Sequence, residues 1–82
     1  MDNKSGDFVV IELKRGQTSD ATVGQLLRYM SYVKRHLARP EQGVQGVIVA
    51  KDVDEALRYA IEAMPNVRVM TYRVDFKLRP LN

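Results

Sequence analysis

Three stretches of the chain are rich in β-branched apolar residues, and two stretches with helical periodicity lie between them. The apolar stretches run over residues 8–14, 44–50 and 67–78. Their composition is typical of β-strands. The first two are almost continuously apolar, which predicts strands buried on both faces of a sheet. In the third, the apolar phase moves by one residue from Val69 to Met70, which indicates a bulge, a bend or a change of neighbours.

The first helix is predicted over about residues 21–38. Its apolar stripe, spaced by three and four residues, comprises Val23, Leu26, Leu27, Met30, Val33 and Leu37. Either Ser19 or Asp20 can cap it, because each side chain offers an oxygen to unpaired backbone N–H groups. Pro40 and Gly43 end it.

A second helix is predicted from the capping-box spacing of Asp52 and Glu55 to about Met64, with Asp52 as the cap. The element order is then β-α-β-α-β. Strands that alternate with helices favour parallel pairing and right-handed crossovers. We therefore predict an α/β fold with a mostly parallel sheet. The methionines Met30, Met64 and Met70 are interpreted as core residues.

Length and composition limit the protein's class. With 82 residues the chain is expected to be one domain, residues 1–82. The absence of cysteine excludes disulfides and thiolate metal sites and is compatible with the cytoplasm, where we expect the protein. No apolar run reaches the ~20 residues of a membrane span, so no membrane partner is expected. The net charge of +3 favours anionic partners only weakly.

The strand 8–14 carries two charged residues, Glu12 and Lys14, on the same face as Val10. At the carboxyl end of a strand in an open α/β sheet, they are expected to face the ligand-binding crevice. A carboxylate there can hold a hard cation such as Mg²⁺, and an ammonium can orient water or oppose phosphate charge. The alternative is a solvated salt bridge between the two, worth about 0–1 kcal/mol.

The next helix places two polar residues, Gln25 and Tyr29, one turn apart on one face. Gln25 follows Glu12 by thirteen positions and lies in the first turns of the helix. An amide and a phenol are therefore expected beside the end of the first strand.

These motifs carry a resemblance to a known family. The stretches VVIELKRG, GQLLRYM and VQGVIVA resemble the catalytic domain of the NucS/EndoMS endonucleases, which belong to the PD-(D/E)xK nuclease superfamily. The similarity extends from about Gly6 through the last strand. It implies a restriction-endonuclease-like core and metal-dependent hydrolysis of DNA in repair or processing, with Mg²⁺ or Mn²⁺ as cofactor.

The resemblance also implies roles for individual residues. Glu12 matches the acidic metal ligand, and the backbone carbonyl of Leu13 matches a further metal contact. Lys14 matches the lysine that positions or activates the attacking water. Gln25 and Tyr29 match the helix motif near the metal and the scissile strand.

The chain departs from this family at its start. The family has a preceding antiparallel strand with a second metal-binding aspartate, and that strand is missing here. We interpret Asp2 as a turn residue rather than as that ligand. The chain is therefore expected to be part of a larger catalytic domain, and the uncovered sheet edge favours a homodimer.

Basic residues outside the motif are candidates for contacts with DNA phosphates: Arg15, Arg28, Lys34 and Arg35. The alternative for Lys34 and its neighbours is a solvated helix face. Arg73 and Asp75 are predicted to form a surface pair. Two other functions stay open at this point, a DNA-binding module without catalysis and a dimerising module on a degenerate nuclease fold.

Overall fold

The computed structural model describes residues 6–18 and 20–81, without the side chains of residues 17, 18 and 20. Its elements are β1 (Phe8–Thr18), α1 (Asp20–His36), β2 (Val44–Val53), α2 (Glu55–Glu62) and β3 (Val67–Thr71). The predicted order of strands and helices is confirmed. Within the described residues, neither helix has the length and apolar character that crossing a bilayer requires.

The three strands form one sheet in the order β1-β2-β3, and both neighbouring pairs are parallel. Val10 pairs with Gly46, and Gly46 pairs with Val67. Further along, Lys14, Ala50 and Thr71 stand in one row across the three strands. The predicted α/β class with parallel pairing is therefore confirmed.

Both helices cover the same face of this sheet. One cluster of buried residues joins α1, α2, β2 and β3: Val23, Leu26, Met30, Ile48, Ala50, Leu57 and Val67. Right-handed crossovers between strands that follow one another in sequence and in space place successive helices on one side. The core therefore lies between the helices and the face of the sheet that carries Ile48 and Ala50.

The other face of the sheet is open within the described residues. Ile11 and Leu13 of β1 are each 65% exposed, and Met70 of β3 is 59% exposed. The prediction that β1 is buried on both faces is wrong, and so is the assignment of Met70 to the core. Apolar strand composition alone does not show that both crossover helices pack on one side.

Gly46 allows α1 to lie close to the sheet. A Cβ atom at this position would stand 2.6 Å from Sδ of Met30 and 2.8 Å from Cδ2 of Leu26. Both distances are below those of real contacts between such atoms. The glycine is therefore required by the packing of α1 on β2, because any side chain would displace these two core residues.

A buried glutamine ties the amino end of β1 to the loop before β2. Gln42 is 8% exposed, and its Oε1 accepts a hydrogen bond from the backbone N–H of Arg39 at 2.7 Å. Its Nε2 donates to the carbonyl oxygen of Gly6 at 2.7 Å. Nearby, the backbone N–H of Gly43 donates to Asp7 Oδ1 at 2.8 Å. These bonds position the start of β1 beside β2.

The boundaries and the buried face of α1 differ from the prediction. Helix α1 begins at Asp20 and ends at His36, and Ser19 lies outside the described residues. Two members of its predicted apolar stripe are exposed, Leu27 by 38% and Leu37 by 58%. They lie at the margin and beyond the end of the buried face, so they do not contact the core.

The cap of α2 is Asp54, and the prediction of Asp52 is wrong. The Asp54 side chain accepts a hydrogen bond from the backbone N–H of Leu57 at 2.8 Å. Asp52 instead belongs to β2, which continues to Val53. The strand is longer than predicted, so the capping position moves two residues along the chain.

Strand β3 ends at Thr71, seven residues before its predicted end. The alternating residues that suggested a longer strand are exposed: Val74 by 56%, Phe76 by 87% and Leu78 by 96%. Pairing between β2 and β3 stops at Ala50 and Thr71. The change of apolar phase at Met70 thus falls just before the end of the strand.

Candidate functional site

Glu12 and Lys14 lie on the helix-covered side of β1. Glu12 pairs with Ile48 and Lys14 with Ala50, and both partners are 0% exposed beneath the helices. Paired residues of neighbouring strands project to the same face of a sheet. The two charged side chains are half-buried and point in the same direction as Val10, as their period-two spacing predicted.

The two residues do not stand at the end of their strand, contrary to prediction. Strand β1 continues to Thr18, although its pairing with β2 is irregular between Lys14 and Gln17. Lys14 is nevertheless in the last row that all three strands share, because β3 stops at Thr71. Beyond this row only β1 and β2 continue, as a two-stranded extension.

No salt bridge joins Glu12 to Lys14. In the part of the chain that the structure describes, the ion pair present is Arg39 with Glu41, at 2.8 Å and with both side chains exposed. The alternative interpretation of Glu12 and Lys14 as a surface salt bridge is therefore not supported. The predicted pair of Arg73 and Asp75 is likewise not formed.

Gln25 and Tyr29 contact each other. The Gln25 Nε2 donates a hydrogen bond to Tyr29 Oη at 3.3 Å. Gln25 is half-buried, and Tyr29 is 49% exposed. The bond joins the amide and the phenol into one polar group on the side of α1.

The side of α1 that carries this group faces the free edge of β1. The opposite side carries Leu27, Ser31 and Lys34, which share a groove with Val44 and Asn66 near the amino ends of β2 and β3. In between, Leu26 and Met30 pack on Gly46, the partner of Val10. Gln25 and Tyr29 therefore lie on the flank of α1 that is turned away from the groove beside β2 and β3.

Two more side chains continue this side of α1 toward its end. The rings of Tyr32 and His36 have centroids 4.5 Å apart and are tilted by 41°. With Gln25 and Tyr29 they follow the i, i+4, i+7, i+11 spacing of one helix flank. Tyr32 and His36 therefore pack against each other near the end of the helix.

The resemblance assigns two oxygen donors of β1 to a metal ion, the Glu12 carboxylate and the Leu13 carbonyl. Oxygen ligands suit Mg²⁺ and Mn²⁺, and Mg²⁺ usually keeps several waters beside one or two carboxylates. Residues 6–18 and 20–81 hold no cluster of three or more His, Cys, Asp or Glu side chains that could bind a metal. Asp2 lies outside the described residues. The donors that are described fit a hard divalent cation but supply only one carboxylate.

The four predicted DNA-contacting residues occupy different places. Arg15 follows Lys14 directly in β1, and Arg28 and Arg35 line an open groove of about 370 Å³ on the outer face of α1. The ammonium of Lys34 donates to the carbonyl oxygens of Gln42 and, at 3.3 Å, of Pro40. Lys34 thus holds the loop after α1, which gives it a structural role at the opposite end of the helix from Gln25.

Sequence analysis missed Tyr72. Its hydroxyl donates a hydrogen bond to the carbonyl oxygen of Arg15 at 2.9 Å and lies 3.4 Å from that of Lys14. Its backbone N–H donates to Ala50 at 3.1 Å. Tyr72 therefore spans β2 and contacts the irregular part of β1 immediately after Lys14. In the sequence, the change of apolar phase near Met70 was the feature that indicated an irregularity at the end of this strand.

The model of the endonuclease NucS C-terminal domain family matches residues 1–74 of the chain. The chain belongs to this family. Its fold is also similar to the crystal structure of a repair endonuclease from Pyrococcus abyssi, with a TM-score of 0.69 and 27% sequence identity. The match covers 85% of this chain and 29% of that chain. The resemblance to the NucS endonucleases is confirmed, whereas the assignment to the catalytic domain and to the PD-(D/E)xK superfamily stays a prediction.

Proposed function

We propose that the chain is part of the catalytic domain of a metal-dependent endonuclease that hydrolyses DNA phosphodiester bonds in repair or processing. The observation that carries this proposal is the placement of Glu12 and Lys14 on one face of β1, unpaired with each other. Gln25 and Tyr29 line the adjacent flank of α1. Membership of the NucS C-terminal domain family supports the same function.

Glu12 and the Leu13 carbonyl would hold the metal. Bound there, Mg²⁺ or Mn²⁺ would neutralise charge on the phosphate and activate water. Because the described residues hold no cluster of three or more metal-binding side chains, the proposal takes a second acidic ligand from outside them. The family pattern assigns it to a strand before β1.

Lys14 would supply a positive charge beside the attacking water and the phosphate oxygens. An ammonium in this position stabilises charge that develops during phosphoryl transfer. Gln25 and Tyr29, already hydrogen-bonded to each other, would orient the scissile strand from the side of α1. Pre-formed contacts of this kind lower the entropic cost of positioning the reacting groups.

The test is a cleavage assay with the longest natural form of the protein that contains these 82 residues. End-labelled linear and branched DNA is incubated with Mg²⁺, with Mn²⁺ or with EDTA. We expect cleavage with either metal, none with EDTA, and a loss of at least 100-fold in Glu12→Gln and Lys14→Met. Glu62→Gln and Lys77→Met are the matched controls, since both residues are exposed and lie outside the site.

Two outcomes would overturn the proposal. One is full cleavage by folded Glu12→Gln or Lys14→Met protein. The other is the absence of cleavage by the unsubstituted protein with either metal. Circular dichroism of each variant establishes that it is folded.

A second candidate function is DNA binding without catalysis, on a degenerate nuclease fold. The absence of a cluster of three or more metal-binding side chains among the described residues favours it. It predicts salt-dependent DNA binding by the longest natural form and no cleavage with either metal.

We also propose that, in the absence of a strand before β1, two copies of these 82 residues associate through the free edge of β1. This strand has a neighbour on one side only within the described sheet, so its other edge offers unpaired backbone groups. Light scattering at several concentrations tests this: a dimer is expected, and a monomer at every concentration contradicts it.

A further inference from the structure

A groove with unpaired positive charge lies next to the candidate site. It forms where β3 stops at Thr71 while β2 continues to Val53. Its volume is about 380 Å³. We call it the β2–β3 groove, and its lining is Lys51, Asp52, Thr71, Tyr72, Arg73 and Val74.

The groove has two cations and one acid. Lys51 and Arg73 are exposed, and neither takes part in an ion pair with another described residue. Asp52 is exposed as well and is not used as a helix cap, because Asp54 fills that role. The lining therefore carries one more cation than anion.

The groove is physically connected to the candidate site. Lys51 follows Ala50, the partner of Lys14, so it lies one position nearer the carboxyl end of β2 and projects to the opposite face of the sheet from Lys14. Tyr72 lines the groove and reaches the carbonyl oxygen of Arg15 with its hydroxyl.

We infer that the β2–β3 groove binds the DNA backbone next to the scissile phosphate, with Lys51 and Arg73 contacting phosphate oxygens. The inference rests on the proposed function, because it takes Glu12 and Lys14 as the place where the DNA is held for cleavage. Lys51 and Arg73 then lie beyond the row of Lys14, Ala50 and Thr71, toward the carboxyl ends of β2 and β3. The Asp52 carboxylate opposes the bound phosphates and lowers the affinity.

The test measures DNA binding by fluorescence anisotropy in EDTA, so that cleavage does not interfere. The longest natural form of the protein is titrated with labelled DNA at several salt concentrations. Lys51→Gln and Arg73→Gln are expected to weaken binding and to reduce the slope of log K against log salt by about 0.7–0.9 each. Asp52→Asn is expected to tighten binding.

The matched control is Arg68→Gln. Arg68 is an exposed arginine of β3 that pairs in register with Val47, toward the amino end of the strand. Its substitution removes the same charge as Arg73→Gln, but outside the groove, so a smaller effect is expected. Thermal unfolding of each variant verifies that these surface substitutions leave the fold intact.

The outcomes separate this inference from the function on which it rests. If the unsubstituted protein binds or cuts DNA while Lys51→Gln and Arg73→Gln match Arg68→Gln in affinity and salt slope, the inference is wrong and the proposed function is untouched. Unchanged or weaker binding by Asp52→Asn also contradicts it. If the unsubstituted protein neither binds nor cuts DNA, both proposals fail together.

Discussion

The hydroxyl of Tyr72 donates a hydrogen bond to the carbonyl oxygen of Arg15 at 2.9 Å, across 57 positions of sequence. It joins the end of β3 to the segment of β1 whose pairing with β2 is irregular, between Lys14 and Gln17. This segment follows directly on the residue that we propose to act at the phosphate. The bond therefore restrains the backbone on the carboxyl side of Lys14.

Removal of this hydroxyl in Tyr72→Phe is expected to loosen the segment after Lys14. A hydrogen bond of this kind contributes about 0.5–1.5 kcal/mol to stability. We expect faster hydrogen exchange of the backbone amides around Gly16 and a loss of that order in the free energy of urea unfolding. Tyr59→Phe is the control, because Tyr59 is 70% exposed on α2. Equal effects of the two substitutions would contradict a specific role for Tyr72.

The contact between Gln25 and Tyr29 predicts coupled effects on catalysis. Gln25→Ala and Tyr29→Phe each remove the hydrogen bond between them. If the two residues orient DNA as one unit, each substitution should lower kcat/KM, and the double variant should lose less than the product of the single losses. Tyr32→Phe, on the same flank, should have little effect. Strictly multiplicative losses would show that the residues act independently.

The close packing at Gly46 predicts opposite effects at two glycines. Gly46→Ala places a methyl group against Met30 and Leu26, and such overpacking costs about 1–3 kcal/mol. Gly24→Ala, in α1, meets no atom within 4 Å and should stabilise the helix by about 0.5–1 kcal/mol. Urea unfolding measures the free energy of unfolding of each variant, which should fall in Gly46→Ala and rise in Gly24→Ala. A neutral Gly46→Ala would mean that α1 lies farther from β2 than the structure places it.

The two hydrogen bonds of the Gln42 side chain predict a measurable cost for its removal. In Gln42→Leu the backbone N–H of Arg39 and the carbonyl of Gly6 lose a partner, and both of these hydrogen bonds are partly buried. A hydrogen bond of this kind contributes about 0.5–1.5 kcal/mol to stability. Gln45→Leu makes the same change at an exposed position of β2 and should be nearly neutral. Thermal or urea unfolding measures the stability of both variants. Equal losses in Gln42→Leu and Gln45→Leu would contradict this account.

The capping contact of α2 distinguishes two nearby aspartates. Asp54→Ala removes the acceptor for the backbone N–H of Leu57 and should destabilise the protein by about 0.5–2 kcal/mol. Asp52→Ala should cost less, because Asp52 lies in β2 and caps nothing. The free energies of unfolding of the two variants decide between the caps. A larger loss of stability in Asp52→Ala than in Asp54→Ala would instead support Asp52 as the cap, as the capping-box spacing predicted.

Local patterns in the sequence were sufficient for the order of the elements and for the shared face of Glu12 and Lys14. Strand alternation and helix periodicity depend on neighbours a few residues apart, so they can be read without a fold. The same holds for Gln25 and Tyr29, which are four residues apart on one helix and hydrogen-bond there. Most of the candidate site was predicted for this reason.

Tertiary structure decided which faces and ends of these elements are covered. Both helices pack on one side of the sheet, so Ile11 and Leu13 are exposed although their strand is apolar. Strand β1 extends past Lys14 because β2 continues beside it, and the same extension transfers the cap of α2 to Asp54. Tyr72 reaches Arg15, and Lys51 lies near Arg73, only because β3 stops at Thr71 while β1 and β2 continue side by side. Contacts between residues far apart in sequence depend on the register of the sheet, which no local pattern contains.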